Sequence, residues 1–197
     1  YKCDLCDYDK LEEIFARNNI NLVIHLAGSK GIGASNKSPL EFYNNNITST
    51  INILKLIKKY DIKSLIFASS AAIYGNIDEE IISEDLEPKP SNPYGKSKLF
   101  SEEIIKDFKL VNPDFNYIIF RYFNIAGADI LFNNIAKVAT SPNKIFEIYG
   151  NNHNTPDGTA IRDFIDVRDI ANINLLAIEY LENNKDSKIF NCSSGKG

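Results

Sequence analysis

Asn21-Leu22-Val23-Ile24-His25-Leu26-Ala27 and Lys63-Ser64-Leu65-Ile66-Phe67-Ala68-Ser69 are short apolar runs containing β-branched residues, and between them Pro39 to Lys59 carries Tyr43, Ile47, Ile51, Leu54 and Ile57 at spacings of four and three. Such spacing puts the five side chains on one stripe of a helix, whereas the flanking runs have the length and composition of buried strands. Strand, helix, strand in that order is a βαβ unit, and its strands must run parallel. The alternation continues outward. Further strands are predicted at Asn116 to Tyr122 and Lys188 to Cys192, and further helices at Asp9 to Arg17, Pro93 to about Leu110, and Arg168 to Glu182. Pro93 suits a first helical turn, and Ile170, Ile173, Ala177 and Leu181 share a face. The expected fold class is α/β with a doubly wound parallel sheet.

Composition bounds the rest. Of 197 residues, 44% are hydrophobic and 24% charged, enough for one large core or one domain with part of a second, and too apolar for a disordered tail. Lys and Arg total 22 against 26 Asp and Glu, a net charge of -4 with the basic residues scattered, so no nucleic-acid partner is expected. Runs such as Leu65 to Ala68 fall far short of the roughly 20 residues that span a bilayer, so a soluble protein is expected, with no membrane partner. Three cysteines cannot build a disulfide framework, and no signal segment opens the chain; a reducing cytoplasm fits. Cys3 and Cys6 have zinc-knuckle spacing, but only Cys192, His25 and His153 remain as further soft ligands, all distant in sequence, and no metal site is expected. His25, inside an apolar run, reads as a packed histidine and His153 as a solvated one. Gly75 to Asn92 reads as a surface loop. Tyr1 to Leu5 resembles the tail of a strand, and Gly195 to Gly197 follows no closing element, so both ends look cut and a preceding βαβ unit is expected.

Parallel sheets bind ligands beyond the carboxyl ends of their strands. Three unusual stretches lie there: Ser69-Ser70-Ala71-Ala72-Ile73-Tyr74-Gly75, Asn92-Pro93-Tyr94-Gly95-Lys96-Ser97-Lys98, and Arg121-Tyr122-Phe123-Asn124. Tyr94 and Lys98 are four apart on one helix and share a face. A phenol titrates near 10, too high for a base at neutral pH, and each unit of depression requires about 1.4 kcal/mol of preference for the phenolate. A neighbouring ammonium and a cationic nicotinamide ring can both supply it, while Ser70 can hydrogen-bond the hydroxyl being oxidised. The blander alternatives are a solvated helix face for Tyr94 and Lys98, and a turn or cap for Ser70.

His25 to Lys30, Ser69 to Gly75, Asn92 to Lys98, Arg121 to Asn124, and Gly150-Asn151 with Thr155-x-Asp157-Gly158-Thr159-x-x-Arg162-Asp163 together resemble the UDP-glucose 4-epimerases, a family of extended short-chain dehydrogenases/reductases, over nearly the whole chain. The trio marks the superfamily; the Asp-Gly-Thr-x-x-Arg-Asp segment marks the epimerases, and Ala71-Ala72 stands where dehydratases have Asp-Glu. The resemblance implies a Rossmann-like NAD-binding domain at 1–125 without its first βαβ unit, part of a smaller, incomplete α/β substrate-binding domain at 126–162, and a helix and strand returning to the core at 163–197. It implies Tyr94 as general base and acid, Ser70 as partner of the sugar hydroxyl, and Lys98 as the residue that lowers the Tyr94 pKa and holds the nicotinamide ribose. Further NAD contacts are implied at Asp4, Leu5, Leu26, Ala27, Gly28, Ser29, Lys30, Asn46 and Phe123. Asn124, Ile148, Tyr149 and Arg162 are implied to bind the UDP-glucose or UDP-galactose. For Arg162, bidentate guanidinium–phosphate geometry gives independent sense.

Alternatives remain beside these roles. Asp4 could cap the helix near Asp9, Arg162 could pair with Asp163 or Asp166, and Phe123 and Tyr149 could be core aromatics. The whole could be another sugar-nucleotide enzyme of the superfamily (uronate 4-epimerase, decarboxylase or dehydratase) or a silent dinucleotide-binding scaffold. The family's glycine-rich loop after a first strand is missing, which either truncation, the preferred reading, or loss of cofactor binding would explain; the stretch after Gly127-Ala128 is shorter, and Ala72 replaces a common Thr. By the same resemblance, a homodimer would form through the helices at Pro39 to Lys59 and Pro93 to Leu110.

Overall fold

A computed structural model describes residues 1–77, 81–127, 130–141, 145–148, 150 and 152–197. Its centre is a parallel sheet in the order β1 (Leu22–His25), β2 (Ser64–Ser70), β3 (Asn116–Tyr122), β6 (Lys188–Cys192). Register keeps the carboxyl ends of β2, β3 and β6 level, Ser70 facing Tyr122 and Tyr122 facing Cys192, whereas β1 ends earlier, His25 facing Phe67. Alternate side chains leave opposite faces of a strand, so each face needs its own cover. On one face Leu65, Phe67, Tyr117 and Ile119 pack against α1 (Tyr8–Arg17), α4 (Ser49–Lys59) and α5 (Pro93–Val111). On the other, Ile66, Ala68, Ile118 and Phe120 pack against Ala177 and Leu181 of α7 (Val167–Asn184). The molecule therefore has a Rossmann-like doubly wound parallel sheet. Every residue of β3 is buried, and each large apolar side chain removed from water contributes about 1.5–3 kcal/mol.

The expected helix at 39–59 is helical throughout but not uniform. α3 (Pro39–Tyr43) passes into α4 through one π turn, Asn44–Thr48, which turns Asn46 inward to 2% exposure. Its carbonyl accepts from Ser49 Oγ at 3.1 Å and Thr50 Oγ1 at 2.8 Å. Asn92 begins α5, its Oδ1 accepting from Gly95 N at 2.9 Å with Pro93 in the first turn. Asp7, not Asp4, caps α1, accepting from Lys10 N at 3.3 Å.

Several sequence expectations change. β1 stops at His25 rather than Ala27; Ile24 on this strand, at the edge of the described sheet, is 39% exposed and Leu26, just past it, 59%. Tyr1 to Leu5 is not a strand: it joins no ladder, and Asp4 enters a turn in which its carbonyl accepts from Asp7 N at 3.0 Å. The loop between Gly75 and Asn92 is only partly a surface feature, since Ile82 and Glu84 are bonded to Asn191 of β6. α2 (Ile32–Lys37), α6 (Ile130–Ala139) and the small parallel pair β4 (Asn124–Ala126) and β5 (Phe164–Asp166) escaped the pattern. α2 contains Gly33 and no apolar repeat, and three-residue strands are shorter than one alternation can reveal. Among the described residues no helix is long and apolar enough to cross a membrane.

Gly95 lets α5 lie directly on the Ala71–Ile73 turn: a Cβ there would stand 3.0 Å from Ala72 C and overlap Ala72 O. Replacing a helix-interior glycine normally helps by about 1 kcal/mol, but a clash with rigid backbone costs about 1–3 kcal/mol. Gly95→Ala is expected to lower the urea midpoint; an unchanged or higher midpoint contradicts this packing.

Candidate active site

The carboxyl ends of β2 and β3 and the first turns of α5 bound a cavity of about 390 Å³. Ser70, Tyr94 and Lys98 line it together, joined by Leu26, Gly28, Ser29 and Lys30 from the loop after β1 and by Phe123 and Asn124 after β3. Ser70 both caps the Ala71–Ile73 turn and lines the cavity: its Oγ accepts from Ala72 N at 3.2 Å, and its hydroxyl also bonds the Tyr94 phenol. Tyr94 is half-buried, its ring edge-on to Phe42 at 6.4 Å. Burial pushes its phenol above the ordinary 10.0, and a hydrogen bond with Ser70 opposes that rise.

Lys98 is 5% exposed. Its Nζ donates to Ala68 O at 2.8 Å and lies 5.0 Å from the centre of the Phe67 ring. Loss of water pulls its pKa down to about 8, with Glu102 opposing. Beside it His25 is 2% exposed and held neutral, its pKa pushed down to about 3 by burial and then by the Lys98 charge. Its Nε2 meets Thr50 Oγ1 at 3.3 Å, and its Nδ1 has no hydrogen-bond partner. It is the packed histidine expected from sequence; His153 is exposed.

Asn46 does not line the cavity but fixes its loop. Its Oδ1 accepts from Ser29 N at 2.7 Å, and its Nδ2 donates to Ser29 O at 3.1 Å and Ser97 Oγ at 2.8 Å. The π turn makes this latch possible by inserting one residue where the side chain must reach inward, a common use of such turns. Gly28 completes the fit: a Cβ on it would lie 3.0 Å from Asn46 Oδ1 and 3.3 Å from Lys98 Nζ.

Other expected residues lie apart. Ala27 is exposed; Asp4 Oδ1 accepts from Cys6 N at 2.9 Å, and Leu5 O accepts from Asn52 Nδ2 at 2.9 Å. Asn124, which does line the cavity, donates its backbone N–H to Asp163 O at 3.2 Å. Ile148 is 67% exposed, and Tyr149 and Asn151 lie outside the described residues. Arg162 is exposed and pairs with neither Asp163 nor Asp166: its Nη1 donates to Ile161 O at 3.0 Å, Arg168 takes Asp166, and Asp163 accepts from Ser194 N and Gly195 N. The Asp157-Gly158-Thr159 motif is a self-closed turn, Asp157 Oδ1 accepting from Thr159 N at 2.9 Å. Among the described residues no cluster of His, Cys, Asp and Glu can hold a metal, and all three cysteines are free thiols.

Sequence reasoning missed the buried pair behind the cavity. Arg121, 3% exposed, grips Glu102, 0% exposed, at 2.8 Å (Nη2 to Oε2) and 3.2 Å (Nε to Oε1), and Ser69 Oγ donates to Oε1. Two signals pointed there: an arginine inside an apolar strand, and a glutamate four residues after Lys98.

Residues 1–193 match the NAD dependent epimerase/dehydratase family. The chain is 40% identical to the UDP-glucose 4-epimerase of Dictyostelium discoideum, over 98% of this chain and 61% of that protein. It is 39% identical to the UDP-glucose 4-epimerase of Yersinia pestis, over 100% of this chain and 63% of that protein. Among solved structures, the Bifidobacterium longum UDP-glucose 4-epimerase in complex with NAD+ and UDP superposes with a TM-score of 0.93 at 38% identity, over 100% of this chain and 63% of that one. The chain thus spans less than two thirds of the length of these relatives.

Burial of Lys98 has a measurable cost. Its folded pKa, about 8, lies below the ordinary 10.5, so the unfolded chain binds more protons between those values and stability rises with pH across that window. The cost is fully present below pH 8, about 3 kcal/mol, less about 1 kcal/mol for the hydrogen bond to Ala68 that Lys98→Met would lose. Lys98→Met is expected to be more stable than the wild type at pH 7 and to lose that advantage toward pH 10.5. Urea unfolding at both pH values checks it, and a variant less stable at pH 7 contradicts it.

Proposed function

Because the chain belongs to the NAD dependent epimerase/dehydratase family, we propose that it carries the acid–base centre of an NAD-dependent enzyme interconverting UDP-galactose and UDP-glucose. The observation that supports this most is the convergence of Ser70, Tyr94 and Lys98 on one cavity with the Gly28–Lys30 loop. The residues present fit the cofactor: Gly28 leaves open the space a Cβ would fill against Lys98, and Lys98 presents a buried cation beside it. Leu26, Ala27, Gly28, Ser29, Lys30, Lys98 and Phe123 would hold it, with Asp4 and Leu5 at the adenine end and Asn46 fixing the loop. When bound, NAD supplies the hydride acceptor and donor for C4 of the sugar.

Tyr94 takes the proton of the sugar 4-hydroxyl as C4 is oxidised and returns it when the 4-ketone is reduced from its other face. Burial alone pushes the phenol up, so positive charge from Lys98 and the nicotinamide ring must bring it within reach of neutral pH. Ser70, its lone pair engaged by Ala72 N, donates its proton toward the sugar oxygen and holds the hydroxyl in line with Tyr94. Exchange of faces requires a loosely held sugar on a firmly held nucleotide, the role of Asn124, Ile148, Tyr149 and Arg162; binding energy from the non-reacting part keeps the reacting part in place. Ala71-Ala72, without a carboxylate, favours epimerisation over dehydration.

In this reading residues 1–125 form the NAD-binding domain, 126–162 part of the substrate-binding domain, and 163–197 the return to the core. The enzyme is a cytoplasmic homodimer. Its free thiols support a reducing compartment, and Leu40, 79% exposed, and Phe100, 48% exposed, on α3 and α5 support pairing through these helices.

The full-length protein is expected to convert UDP-galactose to UDP-glucose, and Tyr94→Phe to lower kcat by about 10²–10⁴-fold without loss of NAD. Absence of turnover by NAD-loaded wild type overturns the reading, as does full activity in Tyr94→Phe.

A further inference from the structure

Tyr94, Lys98 and Glu102 stand at successive intervals of four along α5, the last two at 5% and 0% exposure. A lysine and a glutamate so spaced are neighbours on a helix and ordinarily attract each other. Here they do not pair: Lys98 Nζ donates to Ala68 O, and both oxygens of Glu102 are taken by the Arg121 guanidinium. Arg121 is in turn held from behind, its Nη1 donating to Tyr74 OH at 2.7 Å and Glu84 O at 3.0 Å. Tyr74 OH donates onward to Asn191 Oδ1 at 2.8 Å. An arginine fixed at so many points cannot drift from the carboxylate it faces.

We propose that Arg121 is a positioning residue for the reaction: by occupying both oxygens of Glu102 it keeps that carboxylate from capturing Lys98, whose ammonium is left to serve the phenol of Tyr94. The inference rests on reading Tyr94 as the acid–base group. The buried charges are Lys98, Glu102 and Arg121, one net positive; the other titratable groups facing them are His25 from β1, Tyr74 from the turn after β2, and Tyr117 from β3. Remove the charge of Arg121, and Glu102 and Lys98 cancel. Remove that of Glu102, and two cations remain. Removing both restores the wild-type balance.

The test is the pH dependence of kcat for the NAD-loaded full-length enzyme with UDP-galactose. Arg121→Gln is expected to move the acid limb up by about half a unit or more, and Glu102→Gln to move it down. The double variant should return the limb near its wild-type position, with KM for UDP-galactose within about twofold throughout. Should Arg121→Gln fail to fold, Arg121→Lys keeps the charge but loses the fork, freeing one carboxylate oxygen; an upward shift of the same sign is then expected. Shifts of the same sign in both single variants, or lost turnover with the limb unmoved, would make the pair structural only and overturn the proposal. Tyr94→Phe in the same series separates the two failures: retained turnover there defeats the acid–base reading, whatever the limbs do.

Discussion

An ammonium withdrawn from water between two strands and a helix is the constraint around which this molecule is organised. Lys98 exchanges its hydration for one carbonyl, Ala68 O, at the carboxyl end of β2, and for the face of Phe67. Such a charge persists only where its neighbours cooperate. His25 cooperates by staying neutral, Gly28 by having no side chain, and Glu102 by lending a field while its oxygens bond elsewhere. Each concession comes from a different element, so α5 must be placed accurately against β1 and β2. Gly95 on the Ala71–Ile73 turn and Asn46 on Ser97 provide that placement from opposite sides of the helix.

Arrangement of charge also explains why a costly ion pair lies in the core. Burying Arg121 and Glu102 brings little net stability, although losing either partner alone costs about 3–5 kcal/mol. What the pair does provide is attachment: Glu102 belongs to α5, Arg121 to β3, and Ser69, which donates to Glu102, directly precedes Ser70 on β2. The end of the strand, the helix and the Ser70 hydroxyl are thereby referred to one another through side chains that water does not reach.

The parallel sheet could be read from sequence because its signal is periodic. Residues 116–122 and 188–192 appeared as strands with the boundaries observed, and the stripe from Tyr43 to Ile57 fixed the long helix. The rule that parallel strands present their carboxyl ends to ligands points from sequence alone to Ser70, Tyr94 and Lys98. Periodicity is blind to what breaks it. The π turn at Asn46 adds one residue without changing the apolar stripe enough to show, and Asp163, which holds both Asn124 and the chain after β6, looks like any other loop carboxylate. The strand expected at Tyr1 to Leu5 had suitable residues; a strand also needs a neighbour to bond, and composition cannot report one.

The bonds that hold β6 to the loop after β2 join positions far apart along the chain. Tyr74 reaches Asn191 across 117 positions, and Asn191 reaches Glu84 and Ile82 across 107 and 109. A ribosome delivers β1, β2, α5 and β3 well before it delivers β6, so the nascent polypeptide assembles most of the sheet while Tyr74 OH and the loop at 82–84 still lack the asparagine that ties them down. Arrival of β6 is therefore the step that ties Tyr74 and the loop at 82–84 to the sheet together.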